Sequence, residues 1–178
     1  NLLDNGKNFA QGLQPVDFIY LIMPDRFANG DTTNDRIPGM KDQSLNRDTV
    51  FNRHGGDLLG IINHLGYFNQ LGVTALWLNP VLENDMPDRT EHGYAITDHY
   101  RIDPRLGSNE TYKALIKTAH QNGLKIIQDM IYNHAGLQHW IIQDLPDSNW
   151  LHQWNHYTNT SYKDQVLYDP HAAMVDQK

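Results

Sequence analysis

Short apolar runs alternate with segments of helical periodicity between residues 18 and 131. Three runs, 18–23, 73–78 and 125–131, are rich in apolar residues and are bounded by polar or proline-containing turns. Such runs are typical of strands that are buried on both faces. Between them, two segments space their apolar residues three and four positions apart, as one face of an α-helix does. The order strand, helix, strand, helix, strand predicts an α/β fold with a parallel sheet and right-handed crossovers.

Both helical segments carry end signals. Asp57 precedes the first and Ser108 the second, and both side chains can accept hydrogen bonds from the free N–H groups of a helix start. Gly72 and Gly123 follow the two segments, as expected where a helix ends in a left-handed residue. The predicted inner faces consist of Leu58, Ile61, Ile62, Leu65 and Phe68 in the first helix, and Tyr112, Leu115, Ile116 and Ala119 in the second.

The composition agrees with a globular domain and excludes several classes of function. Of the 178 residues, 39% are hydrophobic and 20% are charged, and the net charge is −7. That charge argues against nucleic acid or an anionic membrane surface as partner. No apolar run reaches the length of about 18 residues that a membrane span needs. The chain has no cysteine, so disulfides and thiolate metal sites are excluded.

An oxygen-rich loop follows the first predicted strand. Residues 29–35 read NGDTTND, and Gly55 and Asp57 come later in the chain. Several oxygen donors near a glycine suit calcium, which takes about six to eight oxygen ligands. The loop is not an EF-hand, because Met40 stands where that motif has its bidentate glutamate. An Asx-rich turn without an ion is the alternative that these residues leave open.

Polar side chains also follow the second and third predicted strands. Residues 92–94 read HGY, and a tyrosine beside glycine can expose its ring at a pocket wall, where sugars pack their apolar faces. Asp129, Asn133 and His134 end the third run, and α/β proteins place their chemistry at the carboxyl ends of parallel strands. A half-buried loop tyrosine, a buried aspartate and a solvated Asn-His turn are the structural alternatives. Nucleotide-binding glycine loops and the serine hydrolase elbow are absent from the sequence.

Taken together and in this order, the motifs resemble the α-amylase family, glycoside hydrolase family 13. The resemblance is strongest to its neopullulanase, cyclomaltodextrinase and bacterial periplasmic amylase members. It runs from about Val16 to about Trp140. The segments that carry it are 22–31 (IMPDRFANGD), 55–58 (GGDL), 92–94 (HGY) and 129–134 (DMIYNH).

The resemblance implies a fold and a domain organisation. Residues 18–134 would form the first three strands and two helices of a (β/α)8 TIM barrel, as the N-terminal part of the catalytic domain. Residues 1–17 would be a linker from a preceding region, and residues 135–178 the truncated start of an inserted domain B. Because a whole barrel needs about 250 residues, the chain is expected to be part of a larger enzyme.

The resemblance also implies an activity. Family members hydrolyse α-glucosidic bonds of starch-like glucans with retention, using an aspartate nucleophile and a glutamate acid/base about 5 Å apart. Both groups follow later barrel strands, so neither is expected here and the chain alone is expected to be inactive. Asp129 would orient an arginine beside the nucleophile. Tyr94 would stack on the sugar, and His134 would hydrogen-bond its hydroxyls.

Calcium is the cofactor that the resemblance implies. Asn133 falls on a second calcium position that only some members use. The expected partner is an α-glucan oligosaccharide or polysaccharide, and the expected location is the periplasm or the cell exterior rather than the cytoplasm. The implied ligands of the main site are Asn29, Asp31, Asn34, Asp35, Gly55 through its carbonyl, and Asp57.

Two other hypotheses remain open at this point. The first is a calcium-stabilised carbohydrate-binding module without catalysis, in which Tyr94 and the tryptophans after residue 140 supply the stacking surface. The second is an unrelated parallel α/β enzyme with His134 as base, for which Asp98 or Asp129 would have to be the partner.

Overall fold

A computed structural model describes residues 12–151 of the chain. The expectations for residues 1–11 and for residues after Leu151, among them Trp154, lie outside the described residues. In chain order the elements are β1 (Ile19–Ile22), α1 (Pro24–Phe27), α2 (Leu58–Asn63), α3 (Leu65–Gln70), β2 (Ala75–Leu78), β3 (Leu82–Glu83), β4 (Asp98–Ile102), α4 (Asn109–Gln121), β5 (Lys125–Gln128) and α5 (Trp140–Gln143), with 3₁₀ turns at Thr32–Asn34 and Ser148–Trp150.

The three predicted strands form one parallel sheet. Its order is β1-β2-β5, so β2 lies in the centre. Ile22 pairs with Leu78, and Leu78 pairs with Gln128, so that all three strands end at the same level. The long connections leave from this edge, which confirms the predicted parallel α/β arrangement.

The strand β5 is shorter than the predicted run 125–131, because it ends at Gln128. Its neighbour β2 ends at Leu78 and is followed by Asn79 and Pro80. A proline has no N–H to donate, so the ladder cannot continue along β2. A last bond joins the Asp129 N–H to the Leu78 carbonyl at 3.4 Å. Asp129 therefore lies beyond the end of the strand, at the carboxyl edge of the parallel sheet, which we call the rim.

The first predicted helix is broken into α2 and α3 at His64. The His64 ring bonds to the Gly60 carbonyl through Nδ1 at 2.7 Å. The backbone N–H of His64 donates to the Ile61 carbonyl at 3.0 Å. The ring thus takes the carbonyl to which the His64 backbone N–H would bond in a regular α-helix, and the helix is interrupted there. The predicted caps are confirmed, since the Gly60 N–H donates to Asp57 at 2.6 Å and the Thr111 N–H donates to Ser108 at 3.1 Å.

The antiparallel pair β3 and β4 lies in a segment for which the sequence predicted only a long loop. Strand β3 has two residues, and β4 has the sequence DHYRI. Neither shows the alternation of apolar and polar residues that marks a half-buried strand. Backbone bonds flank the pair, since the Thr97 N–H donates to the Glu83 carbonyl at 2.8 Å and the Asp103 N–H donates to the Val81 carbonyl at 2.9 Å.

Helices cover one face of the parallel sheet. Leu76 and Leu78 of β2 are buried with Leu58, Phe68 and Leu115 of the helices. Burial of each such side chain stabilises the fold by about 1.5–3 kcal/mol. On the opposite face Leu21 is 58% exposed and Trp77 is 40% exposed.

A pair of opposite charges is buried at the turn between β4 and α4. Arg105 binds both carboxylate oxygens of Asp103, at 2.9 and 2.7 Å. Its remaining N–H groups donate to the carbonyls of Asp42 at 3.1 Å and Asn84 at 2.8 Å. Burial alone would raise the pKa of Asp103, but the hydrogen bonds and charge of Arg105 lower it below the ordinary value.

The chain divides into two compact units, Asn1–Gln143 and Asp144–Lys178. The sheet and all of its helices belong to the first unit. In the second, the described residues contain the 3₁₀ turn at Ser148–Trp150. The assignment of residues 135–178 to a domain B stays a prediction. No helix in residues 12–151 has the length and apolar character needed to cross a membrane.

Asp103→Ala tests the buried pair. It leaves Arg105 without its counter-charge, and we expect a loss of about 3–5 kcal/mol of unfolding free energy in urea titrations. The control is Arg101→Ala, which removes an exposed arginine from its ion pair with the half-buried Glu83. We expect that change to cost about 0–1 kcal/mol. Equal losses for the two variants would show that the buried pair stabilises the fold no more than the pair of Arg101 and Glu83.

Candidate functional site

Three polar side chains meet at the carboxyl edge of the sheet. The Tyr94 hydroxyl donates to Asp129 Oδ2 at 3.0 Å. The indole N–H of Trp77 reaches the same oxygen at 3.3 Å. One carboxylate oxygen thus accepts hydrogen bonds from two different parts of the chain.

The position of Tyr94 depends on the glycine before it. Gly93 has a φ of 81°, and a Cβ at this residue would lie 2.1 Å from the Pro80 carbonyl oxygen. Only glycine lets the loop pass so close to the end of β2. Tyr94 is 37% exposed, so part of its ring faces solvent. Burial, followed by the hydrogen bond and charge of Asp129, raises the pKa of Tyr94.

His134 is held against the backbone of Tyr94. Its Nε2 lies 2.9 Å from the Tyr94 carbonyl oxygen. A carbonyl can only accept, so Nε2 carries the proton and donates. Nδ1 lies 3.4 Å from the amide nitrogen of Asn133. The structure therefore brings His134, Asn133 and Tyr94 together at the rim.

A carboxylate partner for His134 as base is missing from the described residues. Asp129 bonds with Trp77 and Tyr94, and Asp98 accepts from the Tyr100 N–H at 2.8 Å. Neither carboxylate hydrogen-bonds to His134 in residues 12–151. This geometry does not favour the unrelated enzyme with His134 as base.

The oxygen-rich loop is organised around Asp57. Its carboxylate accepts N–H groups from Gly60 at 2.6 Å, Asp31 at 2.8 Å and Gly30 at 3.1 Å. The amide nitrogen of Asn34 lies 3.4 Å from it. Asp57 is fully buried. The same side chain therefore caps α2 and fixes the loop that follows α1.

The residues of this loop fit a calcium ion. The side-chain oxygens of Asn29 and Asn34 are buried and have no hydrogen-bond partner. Asp35 lies beside them, with its Oδ1 2.6 Å from the Asn29 amide nitrogen. A Cβ on Gly55 would lie 2.6 Å from that same oxygen of Asp35. Buried oxygens without a donor are the groups a hard cation would satisfy.

The remaining predicted ligands contribute less. The Asp31 carboxylate turns to the N–H and hydroxyl of Thr33, at 2.9 and 2.6 Å. These bonds lower the pKa of Asp31. Asn133 lies at the rim with His134. Within residues 12–151 no three His, Asp or Glu side chains are grouped to hold a metal ion. A calcium site here would depend on amide and backbone oxygens as well as carboxylates.

Sequence reasoning assigned no role to two residues of the rim, Trp77 and His92, although His92 belongs to the HGY motif. Trp77 lies within an apolar run, and its indole N–H near the strand end was the available signal. His92 accepts the Tyr94 N–H on its Nδ1 at 2.9 Å. The sequence gives no signal for this bond, because it depends on the turn that Gly93 makes.

A parallel sheet with its polar groups at the carboxyl edge is the arrangement of an α/β domain whose site lies at that edge. A family profile described as "Alpha amylase, catalytic domain" matches residues 21–174. The chain is 41% identical to neopullulanase 2 of Thermoactinomyces vulgaris over 131 residues, covering 71% of this chain and 21% of that protein. It is 36% identical to the periplasmic alpha-amylase of Escherichia coli over 129 residues, covering 66% of this chain and 19% of that protein.

The solved structures agree. The crystal structure of an Anoxybacillus alpha-amylase superimposes with a TM-score of 0.67 at 35% identity, covering 83% of this chain and 31% of that one. The chain belongs to the alpha-amylase family, as a part of its catalytic barrel. It spans about a fifth of the length of the two curated relatives named above.

The lowered pKa of His92 predicts that the free energy of unfolding depends on pH. Burial, opposed by Glu91 and reinforced by Arg89, lowers the pKa of His92 below its ordinary 6.5. The folded state therefore favours the neutral ring, whose Nδ1 can accept. The contribution of neutral His92 to the free energy of unfolding is fully present above pH 6.5. It is lost as the pH falls through the lower pKa of His92 in the folded state.

The measurement is the unfolding free energy from pH 7.5 down to pH 5, for the wild type and His92→Asn. Asparagine offers an acceptor oxygen but does not titrate, and every other residue is the same in both proteins. We expect the wild type to lose more stability in acid than the variant. Parallel curves would show that His92 does not carry this effect.

Proposed function

We propose that the protein carrying this chain hydrolyses α-glucosidic bonds in starch-like glucans with retention of configuration. The observation that carries the proposal is the rim group, in which Tyr94, Asp129 and His134 are brought together at the carboxyl edge of the sheet. Membership of the alpha-amylase family supports it, as do relatives that bear the names neopullulanase and alpha-amylase.

Each rim residue would have a separate task. The exposed part of the Tyr94 ring offers an apolar face against which a sugar can stack. The charge of Asp129 would orient a cationic side chain next to the reacting bond. His134 is fixed through Nε2, so it would offer its other ring nitrogen, Nδ1, as an acceptor to a sugar hydroxyl. The nucleophile and the acid/base would come from residues outside the described part of the chain.

Calcium is proposed as a structural ion of the loop after α1. Asn29, Asn34, Asp35 and Asp57 would provide side-chain oxygens, and Gly55 its carbonyl, with Asp31 as a further ligand. The orphaned oxygens of the two asparagines support this assignment. The bound ion would supply positive charge that holds the loop in place, with no role in the bond-breaking step. Asn133 stays a candidate for a second site.

A location in the periplasm or outside the cell is proposed on the similarity to the periplasmic alpha-amylase of Escherichia coli. The proposed partner is an α-glucan chain. A binding module without catalysis remains the alternative that the activity measurement below separates.

Asp129→Asn tests the hydrolase proposal in the protein that carries this chain. With maltoheptaose as substrate, we expect kcat to fall by about 100-fold, because a neutral amide no longer orients a cation. The control is Asp48→Asn, which removes one charge from an exposed aspartate of the loop after α1. Its kcat should stay at the wild-type value.

The outcomes separate the hypotheses. Binding of maltoheptaose by the wild type without cleavage, and no cleavage of pullulan or cyclodextrin, would favour the binding module. Equal activity of the two variants would remove Asp129 from the reaction.

A thermal melt tests whether the loop after α1 binds calcium. Calcium at about 100 times its dissociation constant should stabilise the fold by about 2.7 kcal/mol, and a chelator should reverse this. Asp35→Asn keeps the side-chain size but removes a charge from the loop, so its melt should respond less to calcium than that of Asp48→Asn. If a calcium-free wild type melts at the same temperature with and without added calcium, the loop is an Asx turn without an ion.

A further inference from the structure

Trp77 occupies an unusual place for a large aromatic residue. It lies on β2, the central strand of the parallel sheet, between Leu76 and Leu78. Those two leucines face the helices and are fully buried, whereas Trp77 is 40% exposed. Successive side chains of a strand point to opposite faces. The indole therefore lies on the face that the described helices leave uncovered.

The register of the sheet directs this indole towards Asp129. Trp77 pairs with Ile127 of β5. Asp129 comes two residues after Ile127, just past the end of β5. Its N–H still bonds to the Leu78 carbonyl at 3.4 Å, so the alternation of side chains with a period of two extends to it and places it on the face of Ile127. The observed separation of 3.3 Å between the indole nitrogen and Asp129 Oδ2 follows from this diagonal arrangement. An indole N–H can only donate, so the direction of the bond is settled.

The same oxygen accepts the Tyr94 hydroxyl at 3.0 Å. One donor comes from the central strand and the other from the loop after β3, so the carboxylate is held from two sides. Asp129 Oδ1 receives no hydrogen bond from residues 12–151. Oδ1 is therefore the oxygen of this carboxylate that is left for a further partner.

We propose that Trp77 is a positioning residue for Asp129. Its indole and the Tyr94 hydroxyl fix Oδ2, which leaves Oδ1 in one orientation for the cationic side chain that Asp129 must orient. The kinetic part of this inference rests on the proposed hydrolase function. The hydrogen bond itself does not, so it can be tested separately.

Trp77→Phe isolates the indole N–H, since phenylalanine keeps an aromatic ring in the same place. In the protein that carries this chain, we expect kcat on maltoheptaose to fall about tenfold, as for loss of a hydrogen bond to a charged group. KM should stay within about twofold, because Trp77 acts through Asp129 and not on the bound sugar. The matched control is Tyr100→Phe, an exposed aromatic residue (79%) that also loses one polar hydrogen.

A spectroscopic measurement excludes a purely packing role. In the protein that carries this chain, the indole N–H resonance of Trp77 is identified in a ¹H–¹⁵N spectrum by its absence from Trp77→Phe. We expect this resonance to move in Asp129→Asn, while the indole resonances of Trp140 and Trp150, each assigned by its own substitution, keep their positions. An unmoved resonance would overturn the proposal, even if kcat had fallen, because Trp77 would then act only through packing.

The kcat measurement also decides whether Trp77 positions Asp129. A kcat for Trp77→Phe equal to that of Tyr100→Phe would overturn the positioning role. If the wild type cleaves no α-glucan, the proposed function fails. The resonance in Asp129→Asn then still decides whether Trp77 holds the carboxylate.

Discussion

The bidentate pair of Asp103 and Arg105 is the contact on which the arrangement of loops depends. Because Arg105 is fully buried, its guanidinium must be satisfied by protein groups, and it binds two backbone carbonyls besides the carboxylate. Those carbonyls belong to Asp42 and Asn84. One charge pair thus joins the loop after α1, the end of β3 and the turn that precedes α4.

The loops joined in this way carry the chemistry. The loop after α1 begins with the oxygen-rich segment 29–35, and the segment after β3 leads to Tyr94. Asp57 adds a second fixed point, since its buried carboxylate both caps α2 and accepts the N–H groups of Gly30 and Asp31. The buried carboxylates of Asp57 and Asp103 therefore each join segments that have little regular structure.

The sequence predicted the parts of the fold that depend on local pattern. Apolar runs predicted the three parallel strands, and Asp57 and Ser108 predicted the two helix starts. The pairing of β3 with β4 could not be predicted, because it depends on contacts between distant segments such as Arg105 and Asn84. The break at His64 was missed for a different reason, since the apolar spacing continues across it while the His64 ring takes the Gly60 carbonyl.

The candidate site was predicted to a similar extent. Tyr94, Asp129 and His134 were identified from motifs, and the structure brings them to one edge of the sheet. The contribution of Trp77 became visible only from the strand register, which places its indole diagonally opposite Asp129. A periodic pattern marks Trp77 as a strand residue and cannot show which neighbour its N–H meets.

The central claim is that these residues form part of the site of a retaining α-glucan hydrolase. The most direct test is ¹H NMR of the reducing-end anomer released from maltoheptaose in the first minutes of hydrolysis, using the intact protein that carries this chain. Retention predicts that the α-anomer appears first and that the β-anomer follows only by mutarotation. Initial release of the β-anomer would show an inverting reaction and would overturn the proposed function.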